Sequence, residues 1–245
     1  MALLWGRMLR SRDATSVDVA WAAGVGAVGI TAIALGSGSW LQRGAAAAVL
    51  TLWSGRLVMH LLRDRVWSGR GEDGRYRALR EHFGERWRSG FFWVYQAQAL
   101  VVLPFALPYV LWARHQVQAL GPFQGVALAV AAAGLFVEAL ADRQLARHRA
   151  DPAARGRTCR SGLWRWSRHP NYFGEWLHWC GVAGLASPAP QGWLALLTPT
   201  ILFGLLHAVS GIPHVERQAL ASRGEDYRRY QRETNRFFPW FPRAA

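Results

Sequence analysis

The feature that most limits what this chain can fold into is an alternation of long apolar runs with segments dense in arginine. The runs are Val17–Leu35, broken only by Asp18; Ala45–Leu62, carrying Arg56 and His60; and Phe91–Ala113, without a formal charge. They continue with Pro122–Ala141, which holds Glu138; the shorter Tyr172–Ala186, which holds Glu175; and the uncharged Gln191–Ile212. A bilayer core of about 30 Å takes roughly 20 mostly apolar residues per helix. Four runs reach that length, the second is borderline and the fifth needs flanking residues. The expected fold is therefore all-α: a polytopic membrane helix bundle with six transmembrane helices, seven being the alternative count. A mean hydropathy of +0.02 hides these spans, because the charged loops average them away. We expect a single integral membrane domain over residues 1–245, with an N-terminal half at 13–114 and a C-terminal half at 122–245.

The charges then fix an orientation. The net charge is +14, and all 29 basic residues are Arg, since the chain has no Lys. They crowd into the N-terminal segment (Arg7, Arg10, Arg12), the segment from Arg63 to Arg88, the segment from Arg143 to Arg168, and the tail from Arg217 to Arg243. The intervening turns hold only Arg43 and Arg114. Six spans put every rich segment on one side, which is the positive-inside pattern. Both termini and the Arg-rich loops are thus expected to be cytoplasmic, in a bacterial inner (cytoplasmic) membrane or its equivalent. Met1–Arg12 is too short and too basic for the apolar core of a cleavable signal peptide. The same placement argues against nucleic acid as a partner, since topology and anionic membrane lipid account for the Arg. Cys159 and Cys180 are the only cysteines, too few for a disulfide scaffold. Nothing in the sequence signals an oligomeric state.

Two further patterns carry less than they promise. Gly24-Val-Gly26-Ala-Val-Gly29 matches the dinucleotide fingerprint, but that fingerprint needs a preceding strand. Inside an apolar run, such glycines let neighbouring helices approach. Glu175-Trp-Leu-His178 reads as a di-iron pattern, yet a di-iron bundle needs two copies and two more carboxylates. No metal is expected.

Ionisable groups inside a membrane are costly and usually functional. Asp18 lies near the inner end of the first span, with Trp21 one turn on. Arg56 and His60 share a face of the second span, as do Glu138 and Asp142 on the fourth. Asn171 and Glu175 are likewise spaced on the fifth. A cavity opening toward the cytoplasm would satisfy the set, with snorkelling and capping as the plainer reading. The densest segment runs from Ser161 to Glu175. Arg165 and Arg168 can grip phosphates in a fork that Lys cannot copy. Trp164, Trp166 and Tyr172 offer stacking faces. Pro170 can open the fifth helix so that its first amides face an anion. Asn171 and Glu175 can then meet a carboxamide or a ribose hydroxyl. An interfacial aromatic belt explains the Trp and Arg residues, but not Asn171 and Glu175 at helical spacing.

Arg168-His169-Pro-Asn171-Tyr172-Phe-Gly-Glu175, after Gly162-Leu-Trp, closely resembles the DUF1295 branch of the steroid 5α-reductase superfamily. The resemblance runs over nearly the whole chain. It includes Asp18-Val-Ala-Trp21, Trp53-Ser-Gly-Arg56 with His60, Glu72-Asp-Gly-Arg75-Tyr76, Asp142-Arg-Gln-Leu, Glu216, and Glu225-Asp-Tyr227. The RHPxY core is shared with isoprenylcysteine carboxyl methyltransferases and sterol C14-reductases. Characterised relatives are multi-span enzymes that use NADPH to reduce an enone C=C bond. The resemblance implies cofactor binding by Asp142, Arg149, Asn171 and Glu175, with Arg168, His169, Tyr172, Glu216 and Tyr227 as further carry-overs. The N-terminal half would shape a lipid pocket around Trp21 and Trp53.

The steroid 5α-reductases polarise the substrate ketone with a Glu and a Tyr. Here the Tyr position falls near Trp53, and Asp18 is the candidate for the Glu. An indole donates a hydrogen bond but delivers no proton, so the carbonyl lipid need not be a steroid. The implied chemistry is hydride addition to the β-carbon of an α,β-unsaturated carbonyl, with a donor at the carbonyl oxygen. Asp18, Arg56 and His60 are the candidate donors, and Arg63 and Arg65 are candidate phosphate grips. The competing readings are an S-adenosylmethionine-dependent membrane methyltransferase and a non-enzymatic lipid-binding or transport protein.

Overall fold

The computed structural model describes residues 1–69, 71–115, 121–209 and 211–243. Within them the regular structure is helical, with no strand among the described residues. The chain divides into two compact units: Met1–Leu120 with Ala186–Ala195, and Gly121–Leu185 with Leu196–Ala245.

The first unit opens with α1 (Ala2–Ser11), an amphipathic helix drawn from the Arg-rich N-terminal segment. It buries Met8 beside Ala14, Val17, Tyr76, Phe91 and Tyr95, so its Arg residues are left on the outer face. Helix α2 (Ser16–Ala34) packs on α3 (Trp40–Leu61) and on α5 (Trp87–Arg114). Ser39 caps α3 by accepting from the Gln42 amide, and Asp73 caps the short α4 (Gly74–Phe83) by accepting from the Arg75 amide. Both are the small oxygen-bearing residues that satisfy orphan amides at a helix start. Gly26 and Gly29 lie against Ser54 and Leu50 of α3, where a Cβ would collide, and Gly24 faces Val102. The glycine run is thus a helix-packing seam.

The second unit holds α6 (Pro122–Ala150), α7 (Pro170–Ala186), α8 (Leu197–Gly204), α9 (Ile212–Arg223) and α10 (Glu225–Glu233). Pro122 and Pro170 stand in the first turns of α6 and α7, where a missing N–H costs nothing. Helices α6 and α7 approach backbone to backbone. A Cβ on Gly134 or Gly181 would strike the other helix's main chain at His178 or Ala131, and one on Gly174 would strike Glu138. A π turn, Leu205–Val209, links α8 to α9.

Five helical stretches are long and apolar enough to cross a membrane: Ser16–Ala34, Trp40–Val66, Gly74–Arg114, Pro122–Ala150 and Gly192–Arg223. Their outward faces carry exposed Leu52, Leu100, Leu103, Val126 and Phe136, an apolar exterior that suits lipid and not water. The expected fifth span folds as α7, which has 17 residues. At 1.5 Å per residue such a helix is about 26 Å long, short of a hydrocarbon core of about 30 Å. Five of the six expected runs therefore reach crossing length.

Candidate functional site

In the second unit the site is built where α6 ends and α7 begins. The glycine contact fixes the two backbones side by side, so residues spaced by one turn on each helix form facing strips. Glu138 and Asp142 supply one strip; Asn171 and Glu175 supply the other. Asn171 Nδ2 donates to Asp142 Oδ1 at 3.2 Å. Trp179 Nε1, one turn beyond Glu175, donates to Glu175 Oε1 at 2.9 Å. Asp142, Asn171 and Glu175 are half-buried, and Glu138 is buried. His178 turns to the other partner helix face, where its Nδ1 donates to the Ala131 carbonyl at 3.0 Å. Glu175 and His178 thus go to different partners, and no cluster of metal-ligating side chains forms among the described residues. Arg149, in the last turn of α6, and Arg165 are exposed.

Behind the opening turn of α7 lies a knot centred on Glu216 of α9. Arg168 Nε donates to Glu216 Oε1 at 2.7 Å, and His169 Nε2 to the same oxygen at 3.3 Å. Gln231 Nε2 donates to Oε2 at 3.1 Å, and the Tyr227 hydroxyl reaches Oε1 at 3.5 Å. Arg168 Nη1 donates further to the carbonyls of Gln231 and Thr234 at 3.0 and 2.7 Å. Arg168 therefore ties α9 and the end of α10 to the motif through its Nε and Nη1. His169 is buried and stacks on Tyr172, with centroids 5.5 Å apart and planes 10° from parallel. Burial pushes its pKa below the ordinary value, against the opposing pull of Glu216, and the neutral ring serves as donor. Burial likewise pushes the Tyr227 phenol well up, so it stays a donor.

The tail closes over the motif. Tyr230 donates to the carbonyls of Trp164 and Ser167, and Ser167 Oγ donates to the Phe237 carbonyl at 2.7 Å. Trp164 Nε1 donates to the Ala141 carbonyl at 3.0 Å, which locks the segment before α7 onto α6. Gly162 makes the turn into that segment at φ +60, a backbone region open to glycine.

In the first unit, Asp18 is the centre of a second network. Its Oδ2 accepts from Arg65 Nη1 at 2.5 Å and Arg75 Nη2 at 2.6 Å; its Oδ1 accepts from the Tyr76 hydroxyl at 2.6 Å. Arg75 also binds Asp73, whose backbone N–H donates to Thr15 Oγ1 at 3.0 Å. Burial works to raise the Asp73 carboxyl, but the Arg75 hydrogen bonds and the charges of Arg75 and Arg65 outweigh it and hold it at about 2. Glu72 closes the set by accepting from the Ala14 amide at 3.0 Å and from Arg80 at 2.6 Å. Asp18 thus accepts from three donors, and Arg65 is engaged with carboxylates of its own unit. One turn along α2, Trp21 meets Phe105 at 4.9 Å and Trp53 at 6.0 Å, both edge to face. The Trp21 indole nitrogen is buried and finds no acceptor among the described residues. Arg56 and His60 are half-buried on α3.

The sequence-derived residues therefore fall into two groups by unit. Asp142, Asn171 and Glu175 are brought together, as are Arg168, His169, Glu216 and Tyr227. Asp18 meets Arg65, and Trp21 meets Trp53. Sequence reasoning gave no role to Asp73, Arg75, Tyr76, Arg80, Ser167, Tyr230 or Gln231. For Asp73 a signal existed, since Asp-Gly before a helical run is a cap pattern.

A family model described as a protein of unknown function (DUF1295) matches residues 4–234. An uncharacterized protein of Schizosaccharomyces pombe is 27% identical across 97% of this chain and 76% of its own length. No solved structure matches this chain.

Proposed function

Because the chain belongs to the DUF1295 family, whose placement in the steroid 5α-reductase superfamily is consistent with its motifs, we propose that it is an NADPH-dependent membrane reductase. Its substrate is a lipid with an α,β-unsaturated carbonyl. The observation that carries this reading is the half-buried strip of Asp142, Asn171 and Glu175 at the opening of α7.

A nicotinamide dinucleotide needs amide and carboxylate partners for its carboxamide and ribose, and cations for its phosphates. The second unit supplies both kinds. Asn171 and Glu175 offer the polar partners, Asp142 orients Asn171, and Tyr172 offers a ring face. Arg149 and Arg165 offer exposed guanidiniums. Arg223 Nε is buried without an acceptor among the described residues, a donor that a phosphate oxygen would satisfy. Arg168, His169, Glu216 and Tyr227 act as positioning residues, since their hydrogen bonds hold α7, α9 and α10 together.

When bound, NADPH would supply a hydride to the β-carbon and become NADP+, and water would supply the proton to the α-carbon. In the first unit, Trp21 and Trp53 pack edge to face, and the buried Trp21 N–H is a donor for a polar atom of the lipid. Arg56 and His60 present donors from one face of α3 to the carbonyl oxygen, where negative charge develops. A fixed donor there lowers the barrier, more so in a dry site. Asp18 holds Arg65, Arg75 and Tyr76 together. The bundle crosses the membrane six times, with α7 as the short span, and both termini and the Arg-rich loops lie in the cytoplasm.

The test is a thermal-shift titration of purified protein with NADPH, NADH and S-adenosylmethionine. Stabilisation by NADPH that is lost in both Asn171→Ala and Glu175→Gln supports the reductase. Stabilisation by S-adenosylmethionine alone moves the chain to the methyltransferases. No response to any of the three overturns the cofactor reading.

A further inference from the structure

The tail after α10 is held as an irregular segment along the stretch before α7, yet several of its large side chains are exposed. Three bonds register it: Arg168 N–H to the Asn235 carbonyl at 2.8 Å, Ser167 Oγ to the Phe237 carbonyl at 2.7 Å, and Trp240 N–H to the Trp166 carbonyl at 3.0 Å. The two stretches run antiparallel. Phe237 turns inward, buried against Phe173, Trp176 and Phe203. Phe238, Trp240 and Phe241 turn outward, with 54%, 69% and 67% of their surface exposed. So large an exposed aromatic group is costly in water.

Charge accompanies it. Arg165, Arg236 and Arg243 are exposed, and none makes an ion pair among the described residues. Nearby guanidiniums are paired: Arg160 with Asp226 and Glu233, Arg229 with Glu233, and Arg232 with Glu225. Arg165, Arg236 and Arg243, beside the exposed rings, are not. The level of the patch is set by α7. Phe238 packs edge-on against Phe173 and Trp176 at 6.0 and 5.8 Å, in the first two turns of that helix. There a polar, Arg-bearing segment gives way to apolar helix, the place where aromatic side chains settle at a membrane–water interface.

We propose that residues Arg236–Arg243, together with Arg165, form a seat for an anionic phospholipid of the bilayer. The guanidiniums take its phosphate, and Phe238, Trp240 and Phe241 lie along the upper part of its acyl chains. A zwitterionic lipid fits less well, because its own cation meets three uncompensated ones. Arg165 is the one residue the seat shares with the proposed phosphate grips; Arg236, Arg243 and the three rings belong to the seat alone, and lipid retention reads it apart from the reductase reading.

Native mass spectrometry of the full-length protein in detergent, with phosphatidylglycerol or phosphatidylcholine added, tests this. The wild type should retain phosphatidylglycerol preferentially. Arg165→Gln/Arg236→Gln/Arg243→Gln should lose affinity by about fivefold per guanidinium removed, with an unchanged melting profile. Trp240→Ala/Phe241→Ala should weaken both lipids. A control, Arg7→Gln/Arg10→Gln/Arg12→Gln, removes the same charge from exposed positions of the first unit and should keep the preference. Millimolar inorganic phosphate should not displace the lipid, because it makes no contact with the rings. Equal retention by wild type and the tail variant, an equal loss in the control, or displacement by phosphate each overturns the seat.

Discussion

Each unit is organised around one carboxylate with several donors, and the two differ in what they tie together. Asp18 receives two guanidiniums and a phenol, and Asp73 balances the second cation, so the first network is an ionic lattice with four formal charges. It joins the start of α2 to the loop and helix that follow α3. Glu216 receives one guanidinium, a neutral imidazole, an amide and a distant phenol, so its knot holds a single formal pair. It joins a motif to a tail. The comparison shows that density of polar residues in a motif is not the same as availability. Arg168 and His169 sit in the most crowded segment of the sequence, yet their donors are used internally. Asp142, Asn171 and Glu175, less conspicuous, remain half-buried at the surface of the strip.

The sharpest break would come from Glu216→Ala. It leaves Arg168, 10% exposed, without its anion, and stranding a buried charge costs about 3 kcal/mol or more. Thermal unfolding in detergent should show a larger fall than for Asp18→Asn, Asp73→Asn or Asn171→Ala. Asp18→Asn should cost about 2 kcal/mol, because its partners are more exposed and keep Asp73. An equal or larger loss at Asp18 than at Glu216 would reverse the ranking of the two networks.

Acid should separate the units further. The Asp73 carboxyl lies at about 2, below its ordinary 3.8. A depressed carboxylate contributes stability that is complete above the unfolded value and lost as pH falls through the folded one. Between pH 4 and about 2 the wild type should lose stability that Asp73→Asn has already lost, so the variant's pH profile should be flatter there. Parallel profiles would remove Asp73 from the lattice.

Smaller effects test the strip. Asn171→Ala removes one half-buried hydrogen bond and should cost about 1 kcal/mol, while abolishing stabilisation by NADPH. Arg165→Gln, an exposed and unpaired position, should leave the melting temperature unchanged to within about 0.5 kcal/mol. A large stability loss at either would assign it to the scaffold.

Much of the architecture was legible because a charge-free run of twenty residues is a strong signal that survives any uncertainty about its ends. The glycines of α2 were legible too, since their apolar context already excluded a phosphate loop. What escaped was long-range pairing. Nothing in Arg168-His169 announces a carboxylate 48 residues away in α9, and the spacing rules for helices reach only one turn. The same holds for Asp18, whose partners Arg65 and Arg75 lie 47 and 57 residues on. The first helix was hidden for another reason: its Arg residues read as a topological marker, and the buried face carrying Met8 is only a few residues wide. Helix α7 is marginal in the sequence and in the fold alike, because its composition is apolar while its length is 17 residues.

At Gly134, Gly174 and Gly181 the two helices meet without any side chain between them. Such a joint has no compressible filling, so it cannot be tuned by swapping one hydrocarbon for another. Under the proposed cofactor role, selection for a new nucleotide preference has to work by repainting the rims of that seam, at positions 142, 149, 171 and 175, while leaving the hinge-less spine alone. Variant libraries that spare the three glycines should consequently yield altered selectivity far more often than libraries that touch them.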